Sequence, residues 1–201
     1  FELEMKKIFQ WTEEGYYFTN LGKIPVGGLS LSEFNAIQEP LMLSELNRLT
    51  NSAEVAKALG EEVFRSKLAD LTIYRHQPRC ILHLTLYFLK IEADDKVIYK
   101  IGVTRRTIDS RLTEIKRDLS QHYHKCSASV IGTWQHRGNV ELYFKHRYKK
   151  YNYRISKLTE YYRFKNIDLV LGDLGAMQPK ILEDWELRIS QEQLATQPSI
   201  A

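Results

Sequence analysis

The spacing of apolar positions changes near residue 80. Between residues 39 and 76, Val55, Ala56, Leu59, Val63, Phe64, Leu68 and Leu71 recur at roughly helical intervals, with Ser52 placed to cap a helix and Pro78 to end the region. Ahead of them, Trp11, Tyr16, Tyr17 and Phe18 precede the turn-prone run 22–28, and residues 1–30 read as short strands and loops. Beyond residue 80 the pattern is strand-like. Residues 81–91 read as a buried strand, 93–96 as a polar turn and 97–103 as a second strand, which makes a hairpin. Helical spacing then returns with Ile108, Leu112, Ile115 and Leu119 on one face. Residues 130–134 form a third predicted strand, Gly138 and Asn139 a turn and cap, and Val140, Phe144, Tyr148 and Tyr151 the stripe of a second amphipathic helix. A short helix over 155–163, a short strand over 168–171 and a helix around 181–189 with a frayed tail complete the prediction.

These elements predict an α/β fold of the α+β kind: a small three-stranded sheet, mixed or antiparallel, flanked by helices. Three regions follow: a mainly helical N-terminal extension over 1–78, a central domain over 79–175, and a C-terminal helix and tail over 176–201. The balance of 43% apolar and 27% charged residues is globular and excludes a wholly disordered chain. No apolar run approaches the roughly 20 residues that span a bilayer, so no membrane partner is expected. No basic stretch followed by an apolar one opens the chain, and the first residue is Phe1, which suggests a fragment or a processed product. Cys80 and Cys126 are too few for a disulfide framework. The expected location is the cytoplasm, at the nucleoid if the chain is bacterial.

Charge changes the picture. Residues 81–165 carry 18 Lys/Arg against 8 Asp/Glu, while the remainder carries 11 against 17. A basic block therefore lies between acidic flanks. Within it, Tyr143, Phe144, Tyr148, Tyr151 and Tyr153 alternate with His146, Arg147, Lys149, Lys150 and Arg154. Two readings stay open. Lysine and arginine bind phosphates by releasing counterions and aromatic faces stack on bases; alternatively the stretch is an amphipathic helix with a solvated basic face. On the first reading Arg105, Arg106, Lys145, Lys149 and Lys150 are the candidate contacts to DNA.

The order strand, turn, strand, helix, strand, helix, with its motifs, resembles the GIY-YIG nucleases. Thr85-Leu86-Tyr87 stands at their Gly-Ile-Tyr, and Lys100-Ile101-Gly102 at their Tyr-Ile-Gly. The string Tyr99-Lys100-Ile101-Gly102-Val103-Thr104 is similar to a branch whose second motif is Tyr-Lys-Ile-Gly. Arg111, nine residues after Gly102, stands at the helix-borne arginine of the family. Glu141 and His146 form the Glu-x-x-x-x-His pattern of the same branch, and Thr159-Glu160-Tyr161-Tyr162 stands where that branch has Glu-Trp-Phe. The resemblance covers about 85 residues. It implies a metal-dependent DNA endonuclease using Mg²⁺ or Mn²⁺, with Tyr87, Lys100, Arg111, Glu141 and His146 catalytic and Glu141 the metal ligand.

Phosphodiester hydrolysis needs an activated water, neutralisation of charge on the phosphate and a stabilised leaving oxygen. Arg111 suits the second task, because guanidinium grips phosphate in a planar fork; a surface ion pair with Asp109, Glu114 or Asp118 is the plainer alternative. Glu141, in the first turn of its helix, is a hard oxygen ligand for Mg²⁺ or simply an acid favoured by the helix dipole. Tyr87 is the candidate for handling the attacking water, which requires nearby positive charge, such as Lys100, to lower its pKa from about 10. Lys100 replaces the second motif tyrosine and is a phosphate contact or a base. Tyr99 does not inherit that role, since neighbours on a strand point to opposite faces. His146 is a phosphate contact, a proton shuttle or a structural histidine. Glu160, Tyr161 and Tyr162 read as packing residues.

Two other readings compete. Cys80-x-x-His83 with His122-x-His124-x-Cys126 offers zinc ligands, at an unusually tight second spacing. A catalytically weak GIY-YIG-like module that binds nucleic acid within a larger complex is the alternative to an enzyme. On either reading residues 1–78 would serve target recognition, a homodimer or a protein partner. A small-molecule enzyme has little support, since neither a glycine-rich phosphate loop nor a nucleophile elbow is present.

Overall fold

Serine at residue 30 starts the first long helix. Its side chain accepts from the Glu33 amide at 3.1 Å while the Glu33 carboxylate accepts from the Ser30 amide at 2.8 Å, a reciprocal cap. The structure, a computed structural model, describes residues 26–191 together with the backbone of two antiparallel strands, β1 (Phe9–Thr12) and β2 (Gly15–Phe18). The rest of 1–25 and residues 192–201, within the predicted C-terminal tail, lie outside the described residues. Helix α1 (Leu31–Ala56) runs through Ser52, which caps nothing; the next helix, α2 (Glu61–Leu82), starts instead at Gly60, whose φ of 120° suits only glycine. Pro78 lies inside α2, and burial of Cys80, Ile81 and Leu82 carries the helix past it. The two helices pack through Leu46, Leu49, Ala53, Leu71 and Tyr74, joined by Ile189 of the C-terminal helix α6 (Asp184–Gln191). Val55, Leu59 and Val63, counted above on the apolar stripe, face outward.

The sheet has four antiparallel strands where three were predicted, in the order β5-β3-β4-β6. β3 (Thr85–Ala93) and β4 (Lys96–Thr104) form the expected hairpin, with Asp94 at φ 51° in its two-residue turn, but Ile81 and Leu82, predicted to open the first strand, belong to α2. β5 (Cys126–Gln135) flanks β3 with one bulge, and α3 (Ile108–Leu119) follows β4 as predicted. The fourth strand, β6 (Tyr161–Tyr162), takes the place of the helix expected over 155–163. The chain folds back there because the Tyr153 amide donates to the Tyr161 carbonyl at 2.7 Å and the Asn152 side chain supports the same oxygen at 3.2 Å. The strand expected over 168–171 is helix α5 (Asp168–Gly175), which buries Val170 and Leu174, one turn apart.

Both faces of the sheet are covered. Tyr87, Leu89, Ile91 and Ile98 point to Ile115 and Leu119 of α3 and to Tyr161. Leu86, Phe88 and Ile101 point to Val140 and Phe144 of α4 (Val140–Arg147). The helical extension is built into this second core. Phe34 of α1 stacks on Tyr143 of α4 with ring centroids 4.1 Å apart. Asn139 does not cap α4 with its side chain; its amide donates to Asn35 Oδ1 at 2.6 Å and Gln38 Oε1 at 2.5 Å. Buried Asp173 ties three helices, accepting from the Leu31 amide, Arg147 and the Tyr148 hydroxyl. Helix α4 is thus held from both sides, which fixes the height of its first turn over the sheet. Among the described residues no helix is long and apolar enough to cross a membrane.

Candidate active site

The cluster is assembled around a glycine. Tyr87 and Gly102 are partners across the β3–β4 ladder, and a Cβ at residue 102 would fall 2.5 Å from Tyr87 Cζ and closer still to its hydroxyl. The absent side chain lets the phenol lie over β4, where its oxygen accepts from Arg111 Nε at 3.2 Å. Arg111 comes from α3, where Thr107 caps the helix and the Ile115/Leu119 stripe turns it onto the sheet. Its Nη1 donates to Glu114 at 2.8 Å, so the guanidinium plane is held from two directions. Burial opposes the charge of Arg111, but Tyr87 and Glu114 outweigh it and the group stays cationic.

Tyr87 itself departs from expectation. Its hydroxyl is fully buried, and burial raises its pKa more than Arg111 lowers it.

Lys100 shares the Tyr87 face of the sheet and Tyr99 the other, where it stacks on Phe88. The Lys100 ammonium is buried, lies 4.7 Å above the Tyr161 ring and donates to Glu160 Oε2 at 2.8 Å. Burial lowers its pKa, against the pull of Glu160. Lys145 of α4 holds the other Glu160 oxygen at 2.7 Å and approaches Glu141 Oε1 to 3.4 Å. Burial alone would raise the Glu160 pKa; the two lysines overcome it and bring it to about 2. Glu141 goes the other way: burial raises its pKa although Lys145 lowers it. The contacts Glu141–Lys145–Glu160–Lys100, with Lys100 on the Tyr87 face of the sheet, set these groups in one patch.

Tyr87, Lys100, Arg111 and Glu141 are therefore brought together, and His146 is not. It lies five residues beyond Glu141, about 140° around the helix, with its ring against Tyr143 at 5.8 Å. Burial and Lys149 lower its pKa. Glu160 and Tyr161, read from the sequence as packing residues, belong to the patch; the only advance sign was their place in the Thr159-Glu160-Tyr161-Tyr162 string.

Of the candidate nucleic-acid contacts, Arg105, Lys149 and Lys150 are exposed, Arg106 pairs with Glu114, and Lys145 is held by Glu160. Tyr143, Phe144 and Tyr148 are buried core residues, which removes them as base-stacking platforms. Arg147 is bound to Asp173. The zinc reading also fails: among the described residues no group of three or more His, Cys, Asp or Glu could hold a metal, and Cys80 instead contacts His76 on its own helix at 3.3 Å. The patch offers a hard divalent cation that keeps most of its waters one buried carboxylate, Glu141, with the Lys145 ammonium already beside it.

Neither the curated proteins nor the solved structures include a match to this chain. Residues 85–174, a span that begins with β3, ends in α5 and includes every residue of the patch, match the T5orf172 domain, so this part of the chain is similar to a nuclease-associated domain.

Proposed function

We propose that the chain is a metal-dependent endonuclease that hydrolyses DNA phosphodiester bonds at a GIY-YIG-type site. The observation that carries this reading is the convergence of Tyr87, Lys100, Arg111 and Glu141, from β3, β4, α3 and α4, on one patch joined through Lys145 and Glu160. Arg111 grips the scissile phosphate and offsets its developing charge, held in plane by Tyr87 and Glu114. Tyr87, buried and hydrogen-bonded to Arg111 Nε, orients the guanidinium. The Lys100 ammonium, buried against Glu160, adds positive charge beside the phosphate. Glu141 would hold Mg²⁺ or Mn²⁺, which when bound supplies charge to the phosphate and the leaving oxygen. Arg105, Lys149 and Lys150 hold the flanking backbone.

The test is incubation with supercoiled plasmid in Mg²⁺ or in chelator. The wild type is expected to nick with metal only, and Arg111→Ala and Glu141→Gln to leave the plasmid intact. Equal nicking by all three proteins would sink the reading. One observation favours the binding module instead: the Tyr87 hydroxyl is buried and occupied by Arg111, so it does not face an attacking water. On that reading none of the three proteins cuts, while Glu141→Gln still shifts DNA in a gel with a steep loss of affinity as salt rises.

A further inference from the structure

A cation already sits between the two carboxylates of the patch. Lys145 is one helical turn beyond Glu141, and its ammonium lies 3.4 Å from Glu141 Oε1 and 2.7 Å from Glu160 Oε1. Glu160 comes from a different part of the chain, at the entrance to β6, and gives its other oxygen to Lys100 at 2.8 Å. The two lysines differ in freedom. Lys100 is 5% exposed and lies over the Tyr161 ring; Lys145 is 20% exposed, at the rim. Lys145 is also nearer to Glu160 than to Glu141.

We infer that Lys145 gates metal entry: its ammonium holds the place of a divalent cation beside Glu141, and Glu160 draws it aside when the cation binds. The inference rests on Glu141 being the metal ligand proposed above. An ammonium and a divalent cation repel strongly at contact distance in a partly buried site, so both cannot stand against the same carboxylate oxygen. The flexible four-carbon stem of a lysine permits the withdrawal. Glu160, bound to Lys145 at the shorter distance, is the group that retains it. Metal binding is thereby weak in the DNA-free protein and strengthens when a phosphate reaches the patch and offers Lys145 a second anion.

The experiment is calorimetric titration of Mn²⁺ into the DNA-free full chain, with circular dichroism as the check on folding. Removing the competing charge in Lys145→Met should tighten binding about tenfold. Removing the retaining carboxylate in Glu160→Gln should weaken it, and Glu141→Gln should abolish it. General loosening of the site would weaken binding in all the variants, so the opposite signs for residues 145 and 160 are the signature of gating. Binding by Lys145→Met that equals or falls below wild type, while Glu141→Gln abolishes it, overturns the gate and leaves Glu141 as the ligand. Undiminished binding by Glu141→Gln overturns the ligand assignment and the gate together. Absence of binding by both wild type and Lys145→Met also overturns the gate. Should Lys145→Met fail to fold, Glu160→Gln decides alone: weaker binding supports the gate, and unchanged or tighter binding overturns it.

Discussion

Tyr87 and Gly102 face each other across the β3–β4 ladder, and the tyrosine ring fills the space in which a side chain at residue 102 would lie. Gly102→Ala must push the ring aside, and the Tyr87–Arg111 hydrogen bond goes with it. Overpacking of this kind costs about 1–3 kcal/mol. Thermal melts should show that loss in the wild-type background and much less of it in Tyr87→Leu, where the offending ring is gone. Independent, additive effects of the two substitutions would show that the ring does not set the requirement for glycine.

Arg111 is held by two acceptors of different kinds, the Tyr87 phenol on Nε and the Glu114 carboxylate on Nη1. Lysine keeps the charge but cannot keep both bonds in one plane. Arg111→Lys is expected to slow plasmid nicking by roughly 100-fold or more, in the range seen when one preorganised donor to a developing oxyanion is removed. Its melting temperature should fall only slightly, since the site is partly exposed. Retention of more than half the wild-type rate would mean that charge alone suffices.

Phe34 is the clearest link between the N-terminal helices and the patch. Its ring is fully buried and stacked on Tyr143, in the helix that carries Glu141. Phe34→Ala should destabilise the protein by about 3–5 kcal/mol, as large core truncations do. A fragment beginning at residue 83 exposes the same face of α4 and should lack a cooperative melt. A cooperative transition in that fragment would show that the extension is a separable arm.

Some of this organisation was legible in the chain. The stripe Ile108, Leu112, Ile115 and Leu119 and the Asp94-Asp95 turn are local patterns with one stable solution each, and the structure realises both. The arrangement of α1 and α2 was harder to read, because the apolar positions Val55, Leu59 and Val63 lie on the outside of the helix pair, where periodicity cannot tell inward from outward. β6 was missed because two residues carry no period. Asp168 to Leu171 misled for the opposite reason, a short apolar run that suits strand or helix equally. Arg111 and Glu141 were singled out by their place in a motif order. Glu160 was not, because its role arises from Lys100, 60 residues away in the chain, and no local pattern encodes that pairing.

Glu141 and Glu160 should respond to pH in opposite directions, which gives a test of the patch that needs no substrate. Burial raises the folded pKa of Glu141 above its ordinary 4.5. Its protonated form therefore favours the fold below about that pH, and the advantage is lost as pH rises through the folded value. At pH 7 the charged carboxylate is a burden, eased but not removed by Lys145, so Glu141→Gln should melt higher than wild type, with the gap closing towards pH 4. Glu160 is the reverse. Despite burial, Lys100 and Lys145 hold its folded pKa at about 2, so its stabilisation is present above 4.5 and lost as pH falls towards 2. Glu160→Gln should melt lower at pH 7, by about 1–2 kcal/mol once solvent screening of the partly exposed carboxylate is allowed for, and converge with wild type in acid. Melts of the three proteins across pH 3–8 in chelator check both signs. A Glu141→Gln protein less stable than wild type at pH 7 would mean that Glu141 is held as a structural ion pair with Lys145, and not as a buried charge kept at the expense of stability for a cation.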